Sequence, residues 1–443
     1  MSGMQATSLG WAPAIPCSWK VVPLNFVAKM GTGHTPDRNK TEYWDNCTIP
    51  WVTTPDVTRR ADSLAPLMET EQQISELGMA NSAAVLHPTD TVMLSRTASV
   101  GYSVRIGRPM ATTQAFVTWH AGPDLDPRYL LLVLRAMKQE WRKLAYGSTH
   151  LTIYMPDLES VRIPLPPLEE QRRIADFLDA ETAHIDALTG RRTIQQQLLV
   201  ERRAALKTKC VTYSGPHKVH HPLLGDIHPD WQVLPLRRIL PAINVGVVIN
   251  PSHYFTESGI PFIHGFNVRE GFISQVGMKF MSGESNELQK RSRVYAGDVL
   301  VVRAGATAGR AAKVGEEFNG ANCASVLILR KSEKLDAAYL ETFLNAVAGK
   351  GQVSFSQYGA AQEVISAGQV ASFSIALPPM SDQVGRVADL SAATAETIAL
   401  ESGLTRQVAL LSERRQALIT AAVTGQFDVS TASGRNVTDG VTA

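Results

Sequence analysis

The sequence predicts a mixed α/β protein in which two pseudo-symmetric globular units are each followed by a long helix, the two helices pairing as an antiparallel coiled coil. Three observations predict it: an internal repeat, two long segments with apolar stripes behind proline stops, and strand–turn–strand patterns between them. With 443 residues, 44% of them hydrophobic, the chain is long enough for two to three domains.

The repeat decides the architecture. "IPLPPLEEQ" begins at Ile163 and "IALPPMSDQ" at Ile375, 212 positions on; extending that alignment without a gap to Thr212 and Thr424 gives 23 identities in 50 positions. The same offset joins Trp19 to Trp231 and Pro23 to Pro235, and pairs Tyr146-Gly147 with Tyr358-Gly359. Between these anchors similarity falls away, "LDPRYL" matching "LDAAYL" at offset 210 and Arg96 matching Arg303 at 207. The parts in order are a globular unit (1–165), a helix (166–212), a linker (213–226), a second unit (227–377), a second helix (378–424) and a tail (425–443) expected to be flexible.

Each globular unit reads as mixed α/β. "TVMLSRTASVGYSVRIG" and "DVLVVRAGATAGRAAKVG" are each a strand, a small-residue turn and a second strand. Asp126 and Asp336 have the chemistry of N-caps for short helices over 129–134 and 339–344. In the long segments the prolines forbid a preceding helix but fit a first turn, and Glu169, Glu170 and Asp382 favour the positive end of the helix dipole. Apolar residues then recur at three- and four-residue steps: Ile174, Phe177, Leu178, Ile185, Leu188, Leu198, Leu199 and Leu206 in the first copy, Val387, Leu390, Ile398, Leu400, Leu404, Leu410, Leu411 and Leu418 in the second. About 40 residues make a rod of roughly 60 Å. Two such stripes are most simply buried on each other as an antiparallel coiled coil; the alternative is that each is an ordinary bundle helix inside a domain. Gly190 and Gly403 predict a bend near the middle of each.

Composition narrows the chemistry. Net charge is only +2, so a nucleic-acid surface must be local or shared with partners. Four dispersed cysteines fit neither a disulfide framework nor a zinc knuckle, and fit a reducing compartment. The first twenty residues lack a basic region leading into an apolar one, and no apolar run approaches a membrane span, so a cytoplasmic protein without a membrane partner is expected. "AGATAGR" lacks the spacing and lysine of a phosphate-binding P-loop, "NPSHY" departs from N-P-P-Y, and His217, His220 and His221 have no ligand-spaced carboxylate or cysteine. No catalytic residue, cofactor or metal ligand is therefore expected on this chain. It reads as a binder rather than an enzyme.

Three loops in each unit are the expected contact surface. The first spans 29–40 with Thr32, His34, Thr35 and Arg38, its place taken in the second unit by 243–253 with Asn244 and His253. The second is the hairpin turn, with Arg96, Ser99 and Tyr102, or Arg303, Thr307 and Arg310. The third is the Tyr-Gly loop, with Tyr146, Ser148, Thr149 and His150, or Tyr358 and Gln362. Such turns bring backbone amides and arginines to phosphates; they also serve as plain structural turns.

"IPLPPLEEQRRIADFLDAETAHIDAL" resembles the segment that follows each target-recognition domain in type I restriction-modification specificity subunits, met here by Glu170-Gln171, Ile174-Ala175 and Leu178. The second copy departs from it, with Asp382-Gln383 and Arg386-Val387. "LITAAVTGQFDV" from Leu418 and the phrases "IPCSW" and "IHPDW" resemble the family's C-terminal ending and its domain openings.

The resemblance implies that each unit reads half of a bipartite site in double-stranded DNA while the helices set the spacing. It implies two modification (methyltransferase) subunits carrying S-adenosylmethionine, docked through Gln171, Ile174, Leu178, Gln383 and Leu390, and restriction subunits using ATP and Mg. A modification-only or other phage-defence assembly could use the same kind of chain, and a non-DNA helical scaffold is the alternative of a different class. Glu-Gln giving way to Asp-Gln suggests that the motif needs a helix start more than any particular side chain.

Overall fold

The computed structural model describes residues 3–147, 151–247, 254–357 and 364–429. The chain divides into two compact units, and neither is a continuous segment paired with its own helix. Unit 1 comprises 1–193 and 406–443; unit 2 comprises 194–405. The two long helices, Leu168–Val211 and Met380–Val423, each contribute one portion to either unit.

In unit 1 the central sheet is antiparallel and runs Ala28–Thr32, Phe116–Ala121, Val92–Ser95, Ser103–Arg105. Unit 2 repeats it with Ile243–Val245, Val326–Leu329, Val299–Val302 and Ala311–Lys313. The middle strands "VMLS" and "VLVV" are buried throughout, as apolar runs covered on both faces must be. A smaller sheet accompanies each, three-stranded over 49–112 in unit 1 and four-stranded over 255–324 in unit 2, each with one parallel pairing. The cap expectations hold: Asp126 accepts from Arg128 N and Tyr129 N to start Pro127–Ala136, and Asp336 accepts from Ala338 N and Tyr339 N to start Ala337–Asn345.

The proline stops sit on a two-stranded ribbon. Arg162–Leu165 pairs with Lys20–Pro23, and Ser374–Leu377 pairs with Gln232–Pro235. Behind each ribbon a fully buried glutamine forms one repeated clamp. Gln171 accepts from Asp126 N (2.8 Å) and donates to the carbonyls of Asp124 and Pro166 (both 2.9 Å). Gln383 accepts from Asp336 N (2.8 Å) and donates to Pro378 O (2.9 Å) and Lys334 O (3.3 Å). This corrects the expectation that any helix start would serve: the amide is needed because it joins the stop to the N-cap of another helix.

The long helices run antiparallel within each unit. In unit 1, Arg415 pairs with Asp186 and donates to Thr182 O; in unit 2, Gln196 reaches Thr405 and Arg203 pairs with Glu401. Each helix passes unbroken through its central glycine. The stripe is not sealed by helix pairing alone. Ile174, Leu178, Ile185 and Leu418 are buried in the core of unit 1, whereas Ile398, Leu400 and Leu410 are exposed and Leu198 is 56% exposed. Leu418, Ile419, Ala422 and Val423 complete that core, and Cys210 and Val211 play the corresponding part in unit 2 beside Trp231.

The boundary expectations need two further changes. The stretch 213–226 contains most of a hairpin, Val219–His221 with Gly225–Ile227, and buries Leu224. In the tail, Phe427 and Val429 pack on the unit 1 core, the ring of Phe427 lying 5.6 Å from that of Phe177; residues from 430 on lie outside the described set.

Candidate nucleic-acid interface

In unit 1 the three expected loops meet. The first leaves the strand Ala28–Thr32 at Gly33, where a Cβ would lie 2.0 Å from Thr112 O, so glycine alone lets the chain cross the neighbouring strand. His34 N then donates to Thr112 O, and Trp51 Nε1 donates to His34 O. Thr35 Oγ1 donates to Gln114 Oε1 (2.6 Å), and Arg96 Nε donates to the carbonyl of the same glutamine (3.1 Å). Arg96 Nη1 reaches Ile153 O (3.4 Å), and Ala98 N donates to Leu151 O, which ties the hairpin turn to the Tyr-Gly loop. That loop closes by paired backbone bonds between Tyr146 and Thr152, with the exposed ring of Tyr146 5.8 Å from that of Tyr154.

Unit 2 repeats the frame with other side chains. Gly246 takes the place of Gly33, its Cβ position 2.8 Å from Cys323 O, and Val247 N donates to that carbonyl. Arg303 N donates to Ser325 O, Ile365 N donates to Arg303 O, and Arg303 Nε reaches Ile365 O (3.4 Å), matching Arg96 and Ile153. Ala324 stands at the position that precedes Ser325, as Gln114 precedes Ala115 in unit 1, so the glutamine bridge has no counterpart.

The individual residues divide into three groups. His34 and Arg38 are exposed, Arg38 lying over the rings of Trp44 (5.2 Å) and Trp51 (5.6 Å), a pose that keeps a charged group presented at low entropic cost. Tyr146 is exposed; Ser99 and Thr307 are half-buried in their turns; Arg310 is half-buried with no side-chain partner among the described residues. Thr32 and Asn244 are instead spent on the frame. Thr32 Oγ1 donates to Phe116 O (2.7 Å), and the Asn244 amide oxygen, turned toward Arg330, accepts from its Nη2 (3.1 Å) while Arg330 pairs with the buried Asp298.

Tyr102 borders a separate cavity with Arg135 and Arg415. Ser148, Thr149, His150, His253, Tyr358 and Gln362 lie outside the described residues. Gln114 and Tyr154 were missed, because nothing in a lone glutamine or tyrosine outside a turn signal marks it as a bridge.

The docking residues need the largest correction. Gln171, Ile174, Leu178 and Gln383 are buried in their own units and Leu390 is half-buried, so none of the first four is available to a partner. Within unit 2 the helices expose Ile194, Leu198, Val200, Ile398 and Leu400 instead. No helix among the described residues is long and apolar enough to cross a membrane.

Two compact units thus repeat one sheet, one capped helix and one glutamine clamp. The type I restriction modification DNA specificity domain matches residues 16–198 and 267–410, well over half of the chain, and the chain belongs to that family. It is 25% identical over 279 residues to the type I restriction enzyme MjaIX specificity subunit of Methanocaldococcus jannaschii, an alignment covering 60% of this chain and 63% of the relative. To the EcoKI specificity subunit of Escherichia coli K12 it is 23% identical over 292 residues, 64% of this chain and 61% of that one. The chain thus spans about three fifths of the length of these curated relatives. A chain from a structural study of complex assembly and conformational transition of the type I R-M system shares its fold, with a TM-score of 0.70 at 19% identity over 92% of this chain and 98% of that one.

Proposed function

We propose that this chain is the sequence-reading, non-catalytic subunit of a type I restriction-modification assembly. Each unit reads one half of a bipartite site in duplex DNA. Arginines held at the loop rims position the backbone, and the variable loop side chains read base edges. The observation that supports this most is the frame that holds the hairpin turn, built twice, by Arg96 and Ile153 in one unit and Arg303 and Ile365 in the other, while the loop sequences it carries differ between the two. A scaffold that needed only its helices would have no reason to keep the frame and vary the display.

Methyltransferase subunits dock on the exposed apolar side chains of the long helices, Ile194, Leu198, Val200, Ile398 and Leu400 in unit 2, because such a stripe costs solvation until covered. S-adenosylmethionine, and ATP with Mg where restriction subunits join, belong to those partners in this reading, and the assembly works in the cytoplasm on DNA. The test is methylome sequencing of cells expressing this chain with its neighbouring methyltransferase. Adenine methylation at a two-part motif is expected, and swapping residues 20–160 should change one half and leave the other. Methylation with no two-part motif would sink the reading.

A further inference from the structure

The cavity beside Tyr102 shares the end of the hairpin turn, Val100 to Tyr102, with the loop cluster and is otherwise lined by residues outside the three loops. It has a volume of about 320 Å³, and four cationic side chains, Arg135, Lys138, Arg142 and Arg415, border it against one carboxylate, Asp62. The two arginines at its floor are buried, Arg135 9% and Arg415 8% exposed. Neither guanidinium is fully spent. Arg135 donates from Nη2 to the carbonyls of Ser63 (2.7 Å), Ser103 (3.1 Å) and Arg60 (3.4 Å), while its Nε is buried without a partner. Arg415 pairs with Asp186, donates to Asp62 O (2.7 Å) and Thr182 O (3.4 Å), and lies 4.0 Å from the Asp62 carboxylate; its Nε is unpartnered, as is that of Arg60. Burial pushes Arg135 down to about 10; Asp62 opposes this, and Arg415 and Arg60 add to it.

Unit 2 shows that the fold does not need this charge. Asn345 stands where Arg135 does and bonds Ala311 O (2.8 Å), the carbonyl corresponding to Ser103 O. Arg203, at the repeat position of Arg415, is paired with Glu401, and Lys350, the cation on the helix Val347–Gln357, is paired with Glu270. Where unit 2 has a neutral amide, unit 1 thus has a buried cation, and four cations border the cavity against Asp62, with Asp186 paired to Arg415, which leaves an excess of positive charge that a further anion would relieve. A carboxylate brings a single charge. A phosphate group accepts from several sides at once and suits guanidinium forks, with Lys138 and Arg142 closing over it.

We propose that this cavity is a phosphate-binding site, seating the phosphate of a nucleotide unit either in the DNA backbone or in a free nucleotide. The DNA case rests on the function proposed above; the free-nucleotide case does not. Lys138 and Arg142 are exposed, so the double variant Lys138→Gln/Arg142→Gln leaves the fold intact. The full chain and this variant are titrated with ADP by calorimetry and, separately, with a short non-cognate duplex across a range of salt concentrations.

If the site takes a backbone phosphate, the variant's salt slope falls by about one to two units while ADP shows no saturable binding. If it takes a free nucleotide, ADP saturates the wild type and binds the variant roughly tenfold or more weakly, with the DNA slope unchanged. The proposal is overturned if neither ADP binding nor the slope differs, including when the variant loses only methyltransferase assembly, which would assign the cavity to a protein carboxylate. Loss of the two-part methylation motif in the wild type would sink the DNA-reading assignment while leaving the ADP result standing.

Discussion

Gln171 and Gln383 each hold three hydrogen bonds in a fully buried position, and each bridges a proline carbonyl to the N-cap of a helix more than forty residues earlier. Truncation orphans those groups, so Gln171→Ala should cost about 2 kcal/mol or more, read as a fall in the denaturation midpoint. An unchanged midpoint would mean that water replaces the amide. His87 is buried beneath the first loop, and burial holds its pKa below the ordinary value of 6.5. The unfolded chain therefore takes up that proton first as pH falls. Stability is fully present above about pH 6.5 and declines below it. His264 shifts the same way, from burial and then Lys279. The drop in midpoint between pH 7.5 and 5.5 should shrink in His87→Gln; an equal drop would show that His87 does not carry it.

At the scale of elements, the two long helices tolerate their central glycines without interruption, against the bend their low propensity predicts. A Cβ at Gly190 or Gly403 meets nothing within 4 Å, so nothing in the surroundings requires glycine. Gly190→Ala and Gly403→Ala should each stabilise by roughly 0.5–1 kcal/mol, measured by chemical denaturation, and destabilisation would point to a contact that only a bound partner makes. The starts of the short helices after Asp126 and Asp336 were legible because capping is local: one side chain satisfies amides two and three residues on; the helices themselves run longer than expected, Pro127–Ala136 and Ala337–Asn345. The smaller sheets were not legible. Their strands are two to five residues long, and pairings such as Phe262 with Asn322 join residues some sixty apart, beyond the reach of any periodicity.

For the whole molecule, the division into units cuts across the order of the chain. Residues 406–443 belong to unit 1, and Leu418, Ile419, Ala422 and Val423 lie in its core. Removing everything after residue 405 withdraws several side chains worth roughly 1.5–3 kcal/mol each, comparable to a domain's entire margin of about 5–15 kcal/mol. Unit 1 should then lose its slow amide exchange while unit 2 keeps its own; protection retained in unit 1 would show that its core closes without the second helix.

The sequence by itself determined the two-fold repeat, the long helices, the helix caps and the family, because these are written in spacings and in contacts between near neighbours. It also placed three loops that the fold brings together in unit 1, since a turn between apolar strands is signalled locally by glycine and small residues. Only the tertiary structure decided which of those residues are free. Thr32 and Asn244 are spent on the frame, and Tyr102 borders a different cavity. It also decided that Gln171, Ile174, Leu178 and Gln383 are core rather than docking surface. The physical reason is common to these cases. A side chain's availability depends on what the chain brings over it from tens or hundreds of residues away, and for Arg135 and Arg415 that meeting created a charged cavity that neither segment announces alone.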